Sequence, residues 1–339
     1  MIREDSAAER DTAGLFAKAS RSRMCRALIA AAGTVLAATA FTAPAMATQS
    51  HDQQAGASTT YTFETLDDQA DPTFNQLLGI NNAGVISGYF GSGATGHPNK
   101  GYTLVPPYGQ GNYINENFPG SVQTQVTGLN NKGETVGFWA DTNGDNFGFA
   151  EHDGRFKQVS DPNAPQPTAG TPSVQQLLGV NNHNIAVGFY TDAQGNNHGF
   201  TYDIATGKFR AVNVRGFNSV TATAINRHGT LAGFVQDGAS TEGFVLGPHG
   251  ALEMINGPEG SVSTQVLGIN DAGEVVGSYT DAQSDTHGFT WTARNGYTTI
   301  DDPNAQGMTV VNGINDHGQL VGFYLDSAGN TDGMLSQPE

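Results

Sequence analysis

One short unit recurs six times along this chain, and that repetition limits the fold more than any other feature of the sequence. The unit opens with glycine (alanine once), an apolar residue and asparagine, passes through a polar turn, and continues into a strand-like run with a fixed glycine. It stands as Gly79-Ile80-Asn81, Gly128-Leu129-Asn130, Gly179-Val180-Asn181, Ala224-Ile225-Asn226, Gly268-Ile269-Asn270 and Gly313-Ile314-Asn315. The asparagines lie 49, 51, 45, 44 and 45 residues apart. Seven residues after each comes Gly88, Gly137, Gly188, Gly233, Gly277 or Gly322. Most of these landmarks have structural reasons. An asparagine opening a turn bonds its own backbone, and a strand glycine lets a neighbouring backbone approach closely.

Each unit holds four runs with strand chemistry, separated by Asp, Asn and Gly turns. The fifth shows them best, with strand a at residues 264–270, b at 274–280, c at 287–292 and d at 297–300. Four short strands in roughly 45 residues is the period of a propeller blade. The sixth unit stops after its third strand, and the missing one stands at the front. Phe63-Glu64-Thr65-Leu66-Asp67-Asp68 matches Tyr297-Thr298-Thr299-Ile300-Asp301-Asp302 in character. Exchange of that strand between the termini closes a ring and removes the open ends of a linear array. The sequence therefore predicts an all-β, six-bladed β-propeller of four-stranded blades over residues 61–339. The N-terminal strand completes its last blade.

What precedes the repeats reads as an address. Arg21, Arg23 and Arg26 stand before an apolar stretch over residues 27–41, and Ala45-Met46-Ala47 has the small-x-small pattern of a cleavage site. Residues 1–47 are expected to be a secretory signal peptide, and the polar residues 48–60 a flexible lead-in. The apolar stretch is too short for a comfortable membrane span and no second one follows, so no span is expected in the mature chain. The destination is the periplasm, the cell surface or the medium of a bacterium. The sole cysteine, Cys25, lies in the leader, which excludes a disulfide framework and a cysteine-based zinc site. With 15 Lys and Arg against 32 Asp and Glu, the formal charge is −17, the wrong sign for a nucleic-acid surface.

The Gly-Ile-Asn-Asp/Asn-x-Gly turns, the Val-Gly-x-Tyr strands and the triplets His198-Gly199-Phe200 and His287-Gly288-Phe289 resemble the probable extracellular repeat called the HAF family, found in exported bacterial proteins. Glycine stands where the family has alanine. The other four units carry Lys100, Asn146, Glu242 or Asp332 near the histidine position. The resemblance implies an exported repeat protein and brings no catalytic set with it.

In an up-and-down blade the b–c loops and the d–a crossovers emerge on one face. That face is expected to gather Asp192, Asp281, Asp326 and other loop aspartates, with Asp161, Asp301 and Asp302 among those from crossovers. Five residues before four of the repeat asparagines stand Gln76, Gln125, Gln176 and Gln265, expected near the mouth of the central channel. These glutamines with Asp192, Asp281 and Asp326 form the expected ligand-binding set. The competing reading gives the aspartates to turns and solubility, and the amides to bonds across blades. Asp141, Asn143 and Asp145 place oxygens at alternating positions, as in the first half of a calcium loop, without its later glycine and glutamate. His183, His228 and His317 fall on the opposite face.

No G-x-S-x-G turn, H-E-x-x-H helix or phosphate-binding G-x-x-x-x-G-K-[ST] loop occurs. The expectation is an exported, non-enzymatic propeller that binds an envelope or matrix glycan at its acidic loop face, with calcium as its one candidate cofactor. A polysaccharide hydrolase or lyase at the channel mouth is the alternative, and a structural or protein-binding surface protein a third.

Overall fold

The computed structural model describes residues 60–168, 171–238 and 240–339. The expected leader, and all of the lead-in but Thr60, lie outside them. A single strand, β1 (Tyr61–Thr65), comes first. Blade 1 follows as β2 (Asn75–Ile80), β3 (Ile86–Phe90), β4 (Lys100–Leu104) and β5 (Tyr113–Asn115), and blade 2 as β6 (Gln123–Leu129), β7 (Thr135–Ala140), β8 (Asn146–His152) and β9 (Arg155–Val159). Blade 3 is β10 (Gln175–Val180), β11 (Ile185–Thr191), β12 (Asn197–Asp203) and β13 (Lys208–Ala211). Blade 4 is β14 (Ser219–Ile225), β15 (Leu231–Asp237), β16 (Ser240–Leu246) and β17 (Leu252–Ile255). Blade 5 is β18 (Ser263–Ile269), β19 (Val275–Thr280), β20 (Thr286–Thr292) and β21 (Gly296–Ile300). β22 (Thr309–Ile314), β23 (Leu320–Leu325) and β24 (Thr331–Pro338) form blade 6, whose fourth strand is β1.

The ring closes as the repeat arithmetic predicts. β1 runs antiparallel to β24, with Tyr61 opposite Pro338 and Thr65 opposite Met334. Leu66 extends the pairing by donating its amide to Gly333 O at 2.9 Å. Its side chain is buried with Leu77, Tyr102, Val321 and Leu335, so the seam between the first and last blades is a hydrophobic core like the others. No helix among the described residues is long and apolar enough to cross a membrane.

Every innermost strand carries a one-residue bulge just before the repeat glycine (Ala224 in blade 4), at Leu78, Thr127, Leu178, Thr223, Leu267 and Asn312. The bulged residues alternate around the ring. In blades 2, 4 and 6 they are polar and tie to the next blade: Thr127 to Leu177 O, Thr223 to Val266 O, Asn312 to Leu77 O, at 2.7–2.9 Å. In blades 1, 3 and 5 they are leucines. The bulge also explains the fixed glycine of the second strand. A Cβ on Gly277 would stand 1.9 Å from Gln265 O, and one on Gly322 the same distance from Val310 O. The backbone that approaches these glycines belongs to the same blade, where the bulged strand bends toward its partner, and not to a neighbouring blade.

The repeat asparagines do two jobs. In each turn Asn Oδ1 accepts the amides two and four residues on, as Asn270 does from Ala272 and Glu274. Its Nδ2 then donates to the carbonyl of the next blade's asparagine. Asn81, Asn130, Asn181, Asn226, Asn270 and Asn315 close this circle, with bonds of 2.9–3.3 Å. The channel inside is narrow because glycines face one another there. A Cβ on Gly128 would lie 3.0 Å from Gly179 Cα. What remains is a space of about 90 Å3 along the wall and about 100 Å3 at the asparagine end.

Candidate functional site

The b–c loops repeat the chemistry of the asparagine turns with aspartate in place of asparagine. Asp192 Oδ1 accepts the amides of Gln194 and Asn196, Asp281 those of Gln283 and Asp285, and Asp326 those of Ala328 and Asn330. Each carboxylate folds its own loop, and among the described residues no hydrogen bond joins one of these aspartates to another. Asp326 keeps its proton less readily than an ordinary carboxyl, chiefly because the Asn330 amide bonds the charged form. The loops dock on the crossover of the following blade, as where Ser173 N donates to Asp145 Oδ1 at 2.7 Å.

The triad expected to hold calcium follows the same pattern. Asp141 Oδ1 accepts the amides of Asn143 and Asp145, its Oδ2 takes the Asn143 side-chain amide, and Asp145 is buried against the crossover. These hydrogen bonds account for all three residues as parts of a hairpin. Among the described residues, no three His, Cys, Asp or Glu side chains gather as a metal-binding group.

Histidine adds what the loops lack. In blade 3 the imidazole of His198 stacks on Tyr190 at 4.9 Å and 23°, with Nε2 2.8 Å from Asp192 Oδ2. In blade 5 His287 stacks on Tyr279 at 5.1 Å and 26°, with Nδ1 2.9 Å from Asp301 and Nε2 3.5 Å from Asp281. Blade 1 has a variant in which His97, from its b–c loop, contacts Asp71 of the crossover at 2.6 Å. Histidine–aspartate pairs thus recur in alternate blades. Burial opposes the charge on Asp192, but hydrogen bonds from His198 and Asn196 outweigh it and bring the carboxyl down to about 2. Burial would likewise lower His287, yet Asp301 and Asp281 favour its charged form and raise it.

Cross-strand pairing sets this arrangement. His198 lies opposite Tyr190, and His287 opposite Tyr279, on adjacent strands b and c, so ring and imidazole share one sheet face. Blade 2 has Phe147, not Asn146, at the equivalent place, opposite Trp139. Beside the blade 3 pair lies a hollow of about 130 Å3 whose wall includes Asp161, Asn163, Tyr190, Asn197, His198 and Phe217. It joins an aromatic shelf to amides and a carboxylate.

The glutamines behave differently from expectation. Gln76, Gln125 and Gln176 are buried, and Gln265 is half-buried. Gln76 Oε1 accepts the Tyr89 hydroxyl at 2.8 Å, and Gln125 Nε2 donates to Asn99 Oδ1 of the preceding blade at 3.0 Å. Gln176 Oε1 is buried without a hydrogen-bond partner. The bulges shift the register, so residues 78–80 and their equivalents wall the channel while the glutamines pack among the strands. What the sequence reading missed is the rim at the other end of the channel. There the residues after the asparagines, Asn82, Asn131, Asn182, Arg227, Asp271 and Asp316, surround the opening. Each side-chain oxygen accepts the neighbouring blade's amide, from Asn82 N to Asn131 and on to Asp316 N to Asn82, with one gap where Arg227 follows Asn182.

No family model and no curated protein matches the sequence. Solved structures align with this chain at very low identity. AofleA from Arthrobotrys oligospora aligns with a TM-score of 0.48 and 10% identity, covering 83% of this chain and 87% of its own. Virginiamycin B lyase from Staphylococcus aureus aligns with a TM-score of 0.46 and 10% identity, covering 81% and 99%. Trypanosoma rangeli sialidase aligns with a TM-score of 0.47 and 7% identity, covering 78% and 54%. The topology described above makes this chain a six-bladed β-propeller.

Proposed function

We propose that this propeller is an exported binding protein, and that its ligand is a glycan of the cell envelope or matrix, held on the face of the b–c loops. The observation that carries the reading is the blade 3 hollow, where the stacked Tyr190 and His198 stand beside Asp161, Asn163 and Asn197. A sugar ring offers an apolar face and a rim of hydroxyls, and a site for it needs an aromatic surface with a few fixed polar groups around it. The related pair Tyr279–His287 in blade 5 supplies a second place of the same chemistry. Asp192 and Asp281 act in this reading by holding the imidazoles, with Asp326 serving its loop alone. The leader-like segment and the HAF-like repeats support export.

A glycan array probed with the purified protein, in calcium and again in EDTA, tests the proposal. Saturable binding that weakens about tenfold in Tyr190→Ala and His198→Ala supports it, tenfold being the loss of about 1.4 kcal/mol. Binding that those variants leave intact overturns the assignment of the site. Loss in EDTA brings calcium back to the acidic loops, and release of shortened oligosaccharide replaces the binder with a hydrolase or lyase.

A further inference from the structure

On the face opposite the acidic loops, a groove of about 690 Å3 runs between blades 3 and 4. Its wall takes residues from the a–b turns and from the outer strands of these blades, so it extends from the channel rim to the edge of the ring. Three inter-strand spacings make that about 14 Å. Its chemistry departs from the rest of this acidic molecule. Of the nine Lys and Arg from Tyr61 onward, three line it: Lys208 and Arg210 at the outer end, Arg227 at the inner end. His183 and His228, both exposed, line it from the a–b turns, His228 Nε2 accepting from Arg227 Nε at 3.2 Å. Lys208 and Arg210 are exposed, and among the described residues neither lies within 4 Å of a carboxylate as an ion pair. Arg227 has one at 3.6 Å, Asp271. The single carboxylate lining the groove, Asp203, has Oδ1 engaged by the amides of Ala205 and Thr206 in its own turn.

We infer that this groove is a binding site for an extended anionic oligosaccharide, one bearing carboxylates or sulfate esters at intervals along its length. Cations at both ends of a groove about 14 Å long suit charges spaced along a chain better than a single small anion. Between them the floor is apolar, with Val212, Ile225, Leu231 and Leu246, and takes the carbon faces of the sugars. The net charge of −17 does not defeat the site. The groove's wall reaches Ala211, Val212 and Asn213, which also line the blade 3 hollow. Lys208 and Arg227, however, stand at the other end of the strands, about 20 Å and more than two Debye lengths at physiological salt from the acidic b–c loops.

The test is titration calorimetry of the full protein with three probes: a short oligogalacturonate, dextran sulfate and neutral dextran. The two acidic probes separate carboxylate from sulfate as the recognised group. Binding of either acidic probe, absent for neutral dextran and weakening as salt rises, is the expected result. Lys208→Ala combined with Arg210→Ala is expected to reduce the affinity at least about tenfold. Lys132→Ala combined with Arg155→Ala removes the same charge from exposed positions of blade 2 and is expected to change it less than about twofold. An equal loss in both double variants makes the effect one of net charge and overturns the inference, as does failure of both acidic probes to bind. His198 lines the hollow and not the groove, so His198→Ala is expected to leave this binding unchanged, and the groove and the blade 3 hollow are tested separately.

Discussion

At the scale of single residues, the repeat asparagine carries more of this fold than its turn suggests. Asn270 is 6% exposed, takes two amides on Oδ1, and gives Nδ2 to Asn315 O at 3.3 Å. Asn270→Ala strands those amides and that carbonyl, and is expected to cost about 2–3 kcal/mol in urea denaturation. Asn270→Asp keeps the acceptor, as the aspartates of the b–c loops do, but sets an oxygen against Asn315 O. If the aspartate variant is as stable as the parent, the circle of bonds between blades contributes nothing and only the turn matters. The first job was legible in the sequence, because an asparagine before a glycine turn bonds locally. The second needs the radius of the ring, which no residue spacing supplies. The glutamines failed for a related reason. Alternation along a strand gives two sides but does not say which of them meets the channel, and a one-residue bulge moves the answer.

At the scale of elements, the most informative sequence feature was an absence, the missing fourth strand of the sixth unit. A blade short of its outer strand leaves β24 with a row of unpaired backbone groups, and among the described strands only β1 has matching chemistry and a free position. Blade count and closure could therefore be read without coordinates. Face assignment could also be read, since antiparallel strands alternate direction. The Tyr–His pairs could not, because they depend on cross-strand register between b and c, which the unequal loops obscure. Closure makes a definite prediction. Deleting the chain through Thr65 opens β24 and uncovers part of the core seam around Leu335, and is expected to lower Tm by about 10 °C and to promote association on gel filtration. A peptide of residues 61–68 added in trans should restore both. A truncated chain that stays monomeric with an unchanged Tm would mean that β1 decorates the ring without closing it.

At the scale of the whole molecule, the groove was hidden because its cations come from two blades: Lys208 and Arg210 end one and Arg227 begins the next. The carboxylates show a division of a different kind. Those in turns, Asp192, Asp281 and Asp326 among them, are held low by amides and histidines despite what burial opposes. Glu116 and Asp67, packed between elements, are raised. Burial, then repulsion from Glu151, pushes Glu116 up to about 7, against the hydrogen bond that Thr135 donates to it. Burial, with Asp332 and Asp326 adding to it against the Gly333 amide, takes Asp67 to about 6. A lowered carboxyl stabilises the fold above its unfolded value and loses that contribution as pH falls. A raised one contributes fully below its unfolded value, near 4, and loses that contribution as pH climbs through 6 and 7. The two sets are best satisfied together near pH 5, where the molecule also approaches its pI of 4.7 and repels itself least. Stability is therefore expected to peak near pH 5 and decline by pH 8. A carboxyl that rises from 4.5 to about 7 on folding forfeits on the order of 3 kcal/mol above neutrality. Glu116→Gln has no proton to lose there, and its denaturation midpoint should fall much less between pH 5 and 8 than the parent's. An identical slope in variant and parent would remove Glu116 as the cause, and leave the decline to Asp67 and the net charge.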